Sequence, residues 1–179
     1  ALKLRMRTSD AGITMIAYFE QYHDGDMSKI GLQPKMCPAN VWTVGLGHAL
    51  INKKTGKWLK GKADYPLIAE QYPEYLTMTK KQADELLKFD LISYENKVRK
   101  GLKVEVNQAQ FDSLVSFCYN CGWSETLFRM INHKEPTEKI VQWWQTHYIT
   151  GDGKVLKGLI FRRKVESEYF RTGKITVKV

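Results

Sequence analysis

The stretch Cys37-Pro38-Ala39-Asn40-Val41-Trp42-Thr43-Val44-Gly45-Leu46-Gly47-His48 decides how the chain is read. Its β-branched and aromatic residues, Val41 to Val44, fit a pleated, half-buried surface and predict a strand. Pro38-Ala39-Asn40 supplies a turn before it, with Asn able to take a left-handed conformation. Asn52-Lys53-Lys54-Thr55-Gly56 supplies a second turn after it. A small antiparallel sheet across residues 35–60 follows. Gly45 and Gly47 lie two apart on such a strand, so they would leave one face bare. A bare face lets a flat ring approach the backbone closely, although a bulge or tight packing would use the same glycines.

Helical patterns surround this sheet. Upstream, Thr8, Ser9 and Asp10 are helix-cap residues. Ile13, Ile16, Ala17 and Glu20 then recur at helical spacing, predicting a helix over 10–21 with Glu20 at its C-terminal end. Residues 22–36, rich in Gly, Asp and Lys, read as loop. Downstream, residues 61–78 carry Pro66 and Pro73 and read as irregular. Thr79-x-x-Gln82 is a capping box opening a helix to about Arg99, roughly 30 Å long. Asn107-x-x-Gln110 is another. The helix behind it, Phe111 to Cys121, is apolar on nearly every side, which predicts burial all round, and Gly122 closes it. Short helices are predicted over 125–132 and 136–148, the second with Pro136 in its first turn. Gly151-Asp152-Gly153 is a turn, and a last helix runs over 159–171 and stops at Gly173. The class is α+β, mostly helical.

Composition fits this picture. The 179 residues are 43% hydrophobic and 26% charged, ordinary globular values that exclude a disordered or fibrous chain. The length suits one domain or two small lobes. No apolar run approaches the ~18 residues that would span a bilayer. Ala1 to Asp10 carries Lys3, Arg5 and Arg7 without a following apolar stretch, so neither signal peptide nor anchor is expected there. The three cysteines, Cys37, Cys118 and Cys121, do not make a disulfide framework. Cys118-x-x-Cys121 has redox or metal spacing but lies in an apolar helix without a second pair, so free buried thiols are expected. The net charge of +9 suits a polyanionic neighbourhood, a nucleic acid or a bacterial envelope, or simply solubilises the surface. The basic residues are scattered, and neither zinc-finger spacing nor an RNA-binding aromatic signature appears.

Few residues stand out for chemistry. Glu20 ends a helix beside Tyr18-Phe19, where desolvation and the helix dipole both favour a protonated carboxyl, the state a general acid needs. Thr43 has a hydroxyl able to hold a water. Cys37 is a thiol beside the turn. His48 has no partner His at metal-ligand spacing and reads as a hydrogen-bonded structural residue.

In combination these residues carry a resemblance. Cys37 to His48, preceded by the helix-end Glu20, resembles the signature of phage-type lysozymes, glycoside hydrolase family 24. In that family a helix-end Glu is followed by Asp or Cys, then five residues, then Thr; five residues separate Cys37 from Thr43 here. Asn107 to Gly122 and Lys157 to Glu166 resemble two further family blocks in the family's order, so the likeness covers about 10–173. One departure is that sixteen residues separate Glu20 from Cys37, a longer segment than the family usually has.

The resemblance implies a two-lobed lysozyme-like fold: an N-terminal lobe with the sheet over about 10–78, a connecting helix over about 79–100, and a helical lobe over about 101–173. It implies hydrolysis of the β-1,4 link between N-acetylmuramic acid and N-acetylglucosamine in peptidoglycan. Glu20 would be the acid, Thr43 would orient the attacking water, and Cys37 would stand where many relatives have Asp. Tyr119, Asn120, Gly45 and Gly47 would contact the sugars. Metal, organic cofactor, nucleic acid and stable membrane insertion are not implied, and a monomer is expected. A phage endolysin made in the host cytoplasm and acting in the periplasm is the implied setting. A peptidoglycan-binding module without catalysis, and a basic nucleic-acid-binding protein, are the rival readings.

Overall fold

The structure, a computed structural model, describes residues 6–177. The terminal residues 1–5, where no leader or anchor is expected, and 178–179 lie outside the described residues. Two compact units make up the chain. One is Ala17–Asp90; the other combines the residues up to Ile16 with those from Leu91 onward, so the division falls within two helices.

The first of those helices, α1, spans Asp10–Glu20, one residue short of expectation. Its N-terminus is tied into the helical unit: Ser9 Oγ accepts from Gly12 N–H at 3.1 Å, and Ser9 N–H donates to Asp112 at 3.0 Å. A Cβ on Gly12 would stand 2.6 Å from the Asp112 carboxyl carbon, so glycine permits this approach. Asp112 is wholly buried and also accepts from Tyr169 at 2.8 Å and Gln108 at 2.8 Å.

Within Ala17–Asp90 three short strands form the sheet: β1 Lys35–Met36, β2 Trp42–Val44 and β3 His48–Ala49. They are antiparallel in the order β1-β2-β3, with Lys35 opposite Thr43 and Val44 opposite His48. Isolated bridges from Val41 to Lys60 and from Ile51 to Trp58 extend the pairing. Asn40 does take the left-handed conformation, at φ 63°.

Two expectations are corrected here. The run 41–48 is a hairpin rather than one strand: Gly45-Leu46-Gly47 is the turn between β2 and β3. Gly45 and Gly47 have φ 63° and 93°, so they serve the chain reversal rather than a flat strand face. The second is the irregular reading of 61–78. A helix, α2, spans Gly61–Gln71 around Pro66, followed by a 3-10 turn at Pro73–Tyr75. Proline removes one intrahelical hydrogen bond there, but its fixed φ suits a helix. Lys60 N–H donates to Asp64 at 2.8 Å, which satisfies one donor at the helix start.

Gly45 carries a prediction. A side chain there would be left-handed, and its Cβ would meet Met78 Sδ at 3.0 Å and Ala83 Cβ at 3.2 Å. Gly45→Ala is expected to destabilise by about 2 kcal/mol. That corresponds to a fall of roughly 4–8 °C in thermal midpoint for a chain of this size. An unchanged midpoint would show that the turn relaxes freely.

The long helix α3, Lys80–Gly101, is roughly 33 Å long. Its expected capping box is present: Thr79 N–H donates to Gln82 Oε1 at 2.8 Å and Gln82 N–H to Thr79 Oγ1 at 3.1 Å. The helical unit continues with α4, Gln108–Cys121, also opened by a complete capping box and buried at every position from Phe111 to Cys118. Helices α5, Glu125–Asn132, and α6, Thr137–Thr146, follow. Pro136 stands at the N-cap of α6, one place earlier than expected. A two-stranded hairpin, β4 Thr150–Gly151 with β5 Lys154–Val155, turns at Asp152 and Gly153, both with positive φ. The last helix, α7, spans Lys157–Thr172, ends on left-handed Gly173, and packs on α4 and α6.

Inside this unit α7 brings Arg162, Arg163 and Glu166 into the core. Glu166 accepts from Arg163 at 2.6 and 2.9 Å, from Arg162 at 3.3 Å, from Ser116 at 2.6 Å and from Trp144 at 3.2 Å. The ion pair expected between Arg162 and Glu166 is therefore part of a larger buried network. Cys118 and Cys121 are free thiols, the first buried and the second only half-buried. Burial pushes both up, to about 12 and about 11, which makes them poor nucleophiles.

Candidate active site

The end of α1 sets the site. Glu20 is its last residue. Gln21 then turns left-handed at φ 61° while its N–H closes the helix on Ala17 C=O at 2.8 Å. This reversal delivers His23 to the β2–β3 hairpin, where His23 N–H donates to Gly45 C=O at 2.6 Å. His23 Nδ1 lies 3.0 Å from Thr43 Oγ1. The Thr43 hydroxyl in turn donates to Lys35 C=O at 2.8 Å, and Thr43 is almost fully buried. The ring edge of His23 faces Gly47: a Cβ there would stand 3.5 Å from His23 Nε2.

Electrostatics acts on His23. Burial, first, and then the Lys35 charge lower its pKa below the ordinary 6.5; the Glu20 carboxylate and a hydrogen bond to the Glu20 backbone oppose them. Glu20 and Thr43, singled out separately in the sequence, are thus both joined to His23. Sequence reasoning passed over His23, which lies in the segment read as loop. The available signal was an imidazole three residues beyond a helix-end carboxyl.

The long segment between Glu20 and Cys37 is itself structured. Asp24 accepts from Asp26 N–H at 3.1 Å and Gln33 N–H at 3.2 Å. Leu32 pairs with Met78 through two backbone hydrogen bonds of 2.7 and 2.9 Å. Tyr22 donates to Asp84 at 2.6 Å, and burial with this carboxylate raises the phenol to about 12.

Cys37 is a free, half-buried thiol. Its N–H donates to Val41 C=O at 2.9 Å and its C=O accepts from Asn40 at 2.8 Å, so it brackets the turn into β2. His48 has the expected structural partner, Asp90, at 2.7 Å. Tyr119 and Asn120 belong to the helical unit. Tyr119 is half-buried, edge-on to Tyr94 with centroids 5.2 Å apart, and Asn120 is exposed near the end of α4.

The sequence model of the phage lysozyme family matches residues 27–166, a span that holds Cys37, Thr43, Tyr119 and Asn120 and begins after Glu20. The endolysin of Bacillus phage PZA is 30% identical over 176 residues, which cover 94% of this chain and 56% of that protein. The chain spans a little more than half the length of the curated Bacillus phage relatives it matches. The muramidase domain of SpmX from Asticaccaulis excentricus superposes with a TM-score of 0.68 at 26% identity, covering 94% of this chain and 99% of that one. The endolysin from Escherichia coli O157:H7 phage FAHEc1 gives 0.69 at 25% identity, covering 97% and 98%. With the family match running through most of its length, and the mostly helical fold with its small antiparallel sheet shared with these structures, the chain belongs to the phage lysozyme family.

Proposed function

We propose that the chain is an endolysin-type muramidase that hydrolyses the β-1,4 link between N-acetylmuramic acid and N-acetylglucosamine, with Glu20 as general acid. The observation that carries this reading is the joining of Glu20 and Thr43 through His23 in a chain of the phage lysozyme family. Glycoside hydrolysis needs a proton on the departing oxygen while positive charge builds on the sugar ring. Glu20, at the mouth of the α1 reversal, supplies that proton. The Thr43 hydroxyl donates to Lys35 C=O and lies 3.0 Å from His23 Nδ1, so its orientation is fixed. Cys37, in the slot where many relatives have Asp, assists the attacking water or stabilises the positive charge. Tyr119 and Asn120 in the helical unit and Gly47 in the β2–β3 turn are each candidates for contact with the glycan.

The expected setting is synthesis in a host bacterium and action on periplasmic peptidoglycan as a monomer, without nucleic acid as ligand. The net charge of +9 favours residence near the anionic wall.

The test is turbidity of chloroform-permeabilised Gram-negative cells. Rapid clearing supports the reading. The absence of clearing by folded protein favours a binding module instead, and steeply salt-dependent binding to DNA would favour the nucleic-acid reading. In the same assay Cys37→Ala is expected to slow clearing about 100-fold, the scale of a lost charge-stabilising group. Cys37→Asp is expected to retain most activity. A fully active Cys37→Ala would remove the thiol from the mechanism.

A further inference from the structure

We propose that the long segment between Glu20 and Cys37 builds a second glycan site, which holds one neutral pyranose ring. The proposal rests on the muramidase reading above, which supplies the glycan. Its first support is a cavity of about 320 Å³, walled by this segment, β1, Trp42 and Tyr65. That volume is at the lower end of the ~300–1,000 Å³ typical of small-molecule sites. Every residue lining it lies within Ala17–Asp90, and Glu20, Cys37 and Thr43 are not among them. Trp42 and Thr43 are consecutive on β2, so their side chains leave opposite faces of the sheet. The cavity is therefore separate from the candidate active site, which it adjoins through Lys35: the Lys35 C=O accepts the Thr43 hydroxyl at 2.8 Å.

The second support is the chemistry of the lining. Trp42 is half-buried, with its Nε1–H donating to Gly61 C=O at 2.7 Å, and its ring lies 5.1 Å from that of Tyr65, which is 42% exposed. Such a pair offers a flat apolar wall to the C–H face of a sugar ring. The charged residues are balanced, Asp24 and Asp26 against Lys29 and Lys35, so the cavity favours a neutral ligand over an anion or a cation. Carboxylates accept and ammonium groups donate, and each sugar hydroxyl does both. Asp24 accepts its two hydrogen bonds on Oδ1, which leaves Oδ2 without a partner among the described residues. The Lys35 ammonium likewise has no hydrogen-bond or ion-pair partner among them.

The third support is that the wall is formed in advance. Gly25 N–H donates to Gln33 C=O at 3.1 Å, and a Cβ on Gly25 would stand 2.0 Å from the Pro34 carbonyl oxygen, so the two arms of the segment touch. Gln33 is buried, and its side chain donates to Ile30 C=O at 3.3 Å and to Thr77 at 3.2 Å. A ligand therefore does not have to order the segment in order to bind.

The experiment titrates chitotriose, a neutral oligosaccharide of N-acetylglucosamine, into the isotope-labelled full chain carrying Glu20→Gln, in which cleavage is blocked. The Trp42 indole N–H resonance, identified by its loss in Trp42→Phe, reports on the cavity. It is expected to shift progressively up to about 10 mM sugar, a range that captures a weak single-ring site. Tyr65→Ala is expected to weaken this response about tenfold or more, with a near-parental thermal midpoint. Should that variant fail to fold, Lys35→Ala takes its place, with a loss of about tenfold, the scale of one hydrogen bond to a charged group. A Trp42 resonance that stays fixed, or that moves equally in the folded variants, overturns the proposal. A shift caused by free lysine, a zwitterion, and not by chitotriose overturns the assignment to a neutral sugar. Reducing-end release from purified sacculi by the parent is read beside it. A Trp42 shift without such release defeats the muramidase reading, whereas release without a shift defeats only the second site.

Discussion

Glu20→Gln is expected to lower glycan cleavage by about 10³- to 10⁴-fold, the range for removal of a general acid, while leaving the fold intact. Gln matches Glu in shape and hydrogen-bonding reach, but it has no proton to deliver to a departing oxygen. A neutral amide at the C-terminal end of α1 also suits the negative end of the helix dipole better than an acidic side chain does. Stability is therefore expected to stay level or rise by up to about 1 kcal/mol. Activity and stability moving in opposite directions is the pattern of a group kept for chemistry at some cost to the fold. Thermal unfolding beside the turbidity assay reads both. An inactive variant that also unfolds would mean that Glu20 is structural, and an active one would move the acid elsewhere.

The second large effect lies in the helical unit. Glu166 is fully buried and holds two guanidinium groups, a hydroxyl and an indole N–H. Glu166→Ala leaves Arg163, itself fully buried, without its carboxylate. Breaking a buried pair by removing one partner costs about 3–5 kcal/mol, because the remaining charge stays desolvated. At about 2–4 °C per kcal/mol for this chain length, the thermal midpoint should drop by roughly 6–20 °C. Exposed pairs such as Lys54–Glu70 offer the contrast: Glu70→Ala is expected to change stability by less than about 1 kcal/mol. A Glu166→Ala midpoint within a degree or two of the parent would show that the network relaxes or hydrates at little cost.

The helices were legible because their signals are local. Thr79 with Gln82 and Asn107 with Gln110 announce their helix starts through side chains three residues apart, and each box is formed as expected. The unbroken burial of α4 follows from its apolar composition in the same way. Where tertiary partners decide, the sequence misleads. Gly45 and Gly47 look like gaps in a strand until the pairing of Val44 with His48 forces the chain to reverse between them. Pro66 looks like a breaker, yet α2 runs through it. In the candidate site, Glu20, Cys37 and Thr43 could be named through their resemblance to the phage-type lysozyme signature. His23 could not, because its position depends on a left-handed Gln21 and a backbone bond to Gly45, neither of which any periodicity encodes.

The most direct measurement of the central claim is the mass of the fragments released from purified Gram-negative sacculi. The account predicts muropeptides that end in reducing N-acetylmuramic acid, released by the parent and not by Glu20→Gln. Anhydro-sugar ends, or free peptides with the glycan strands left whole, would contradict it.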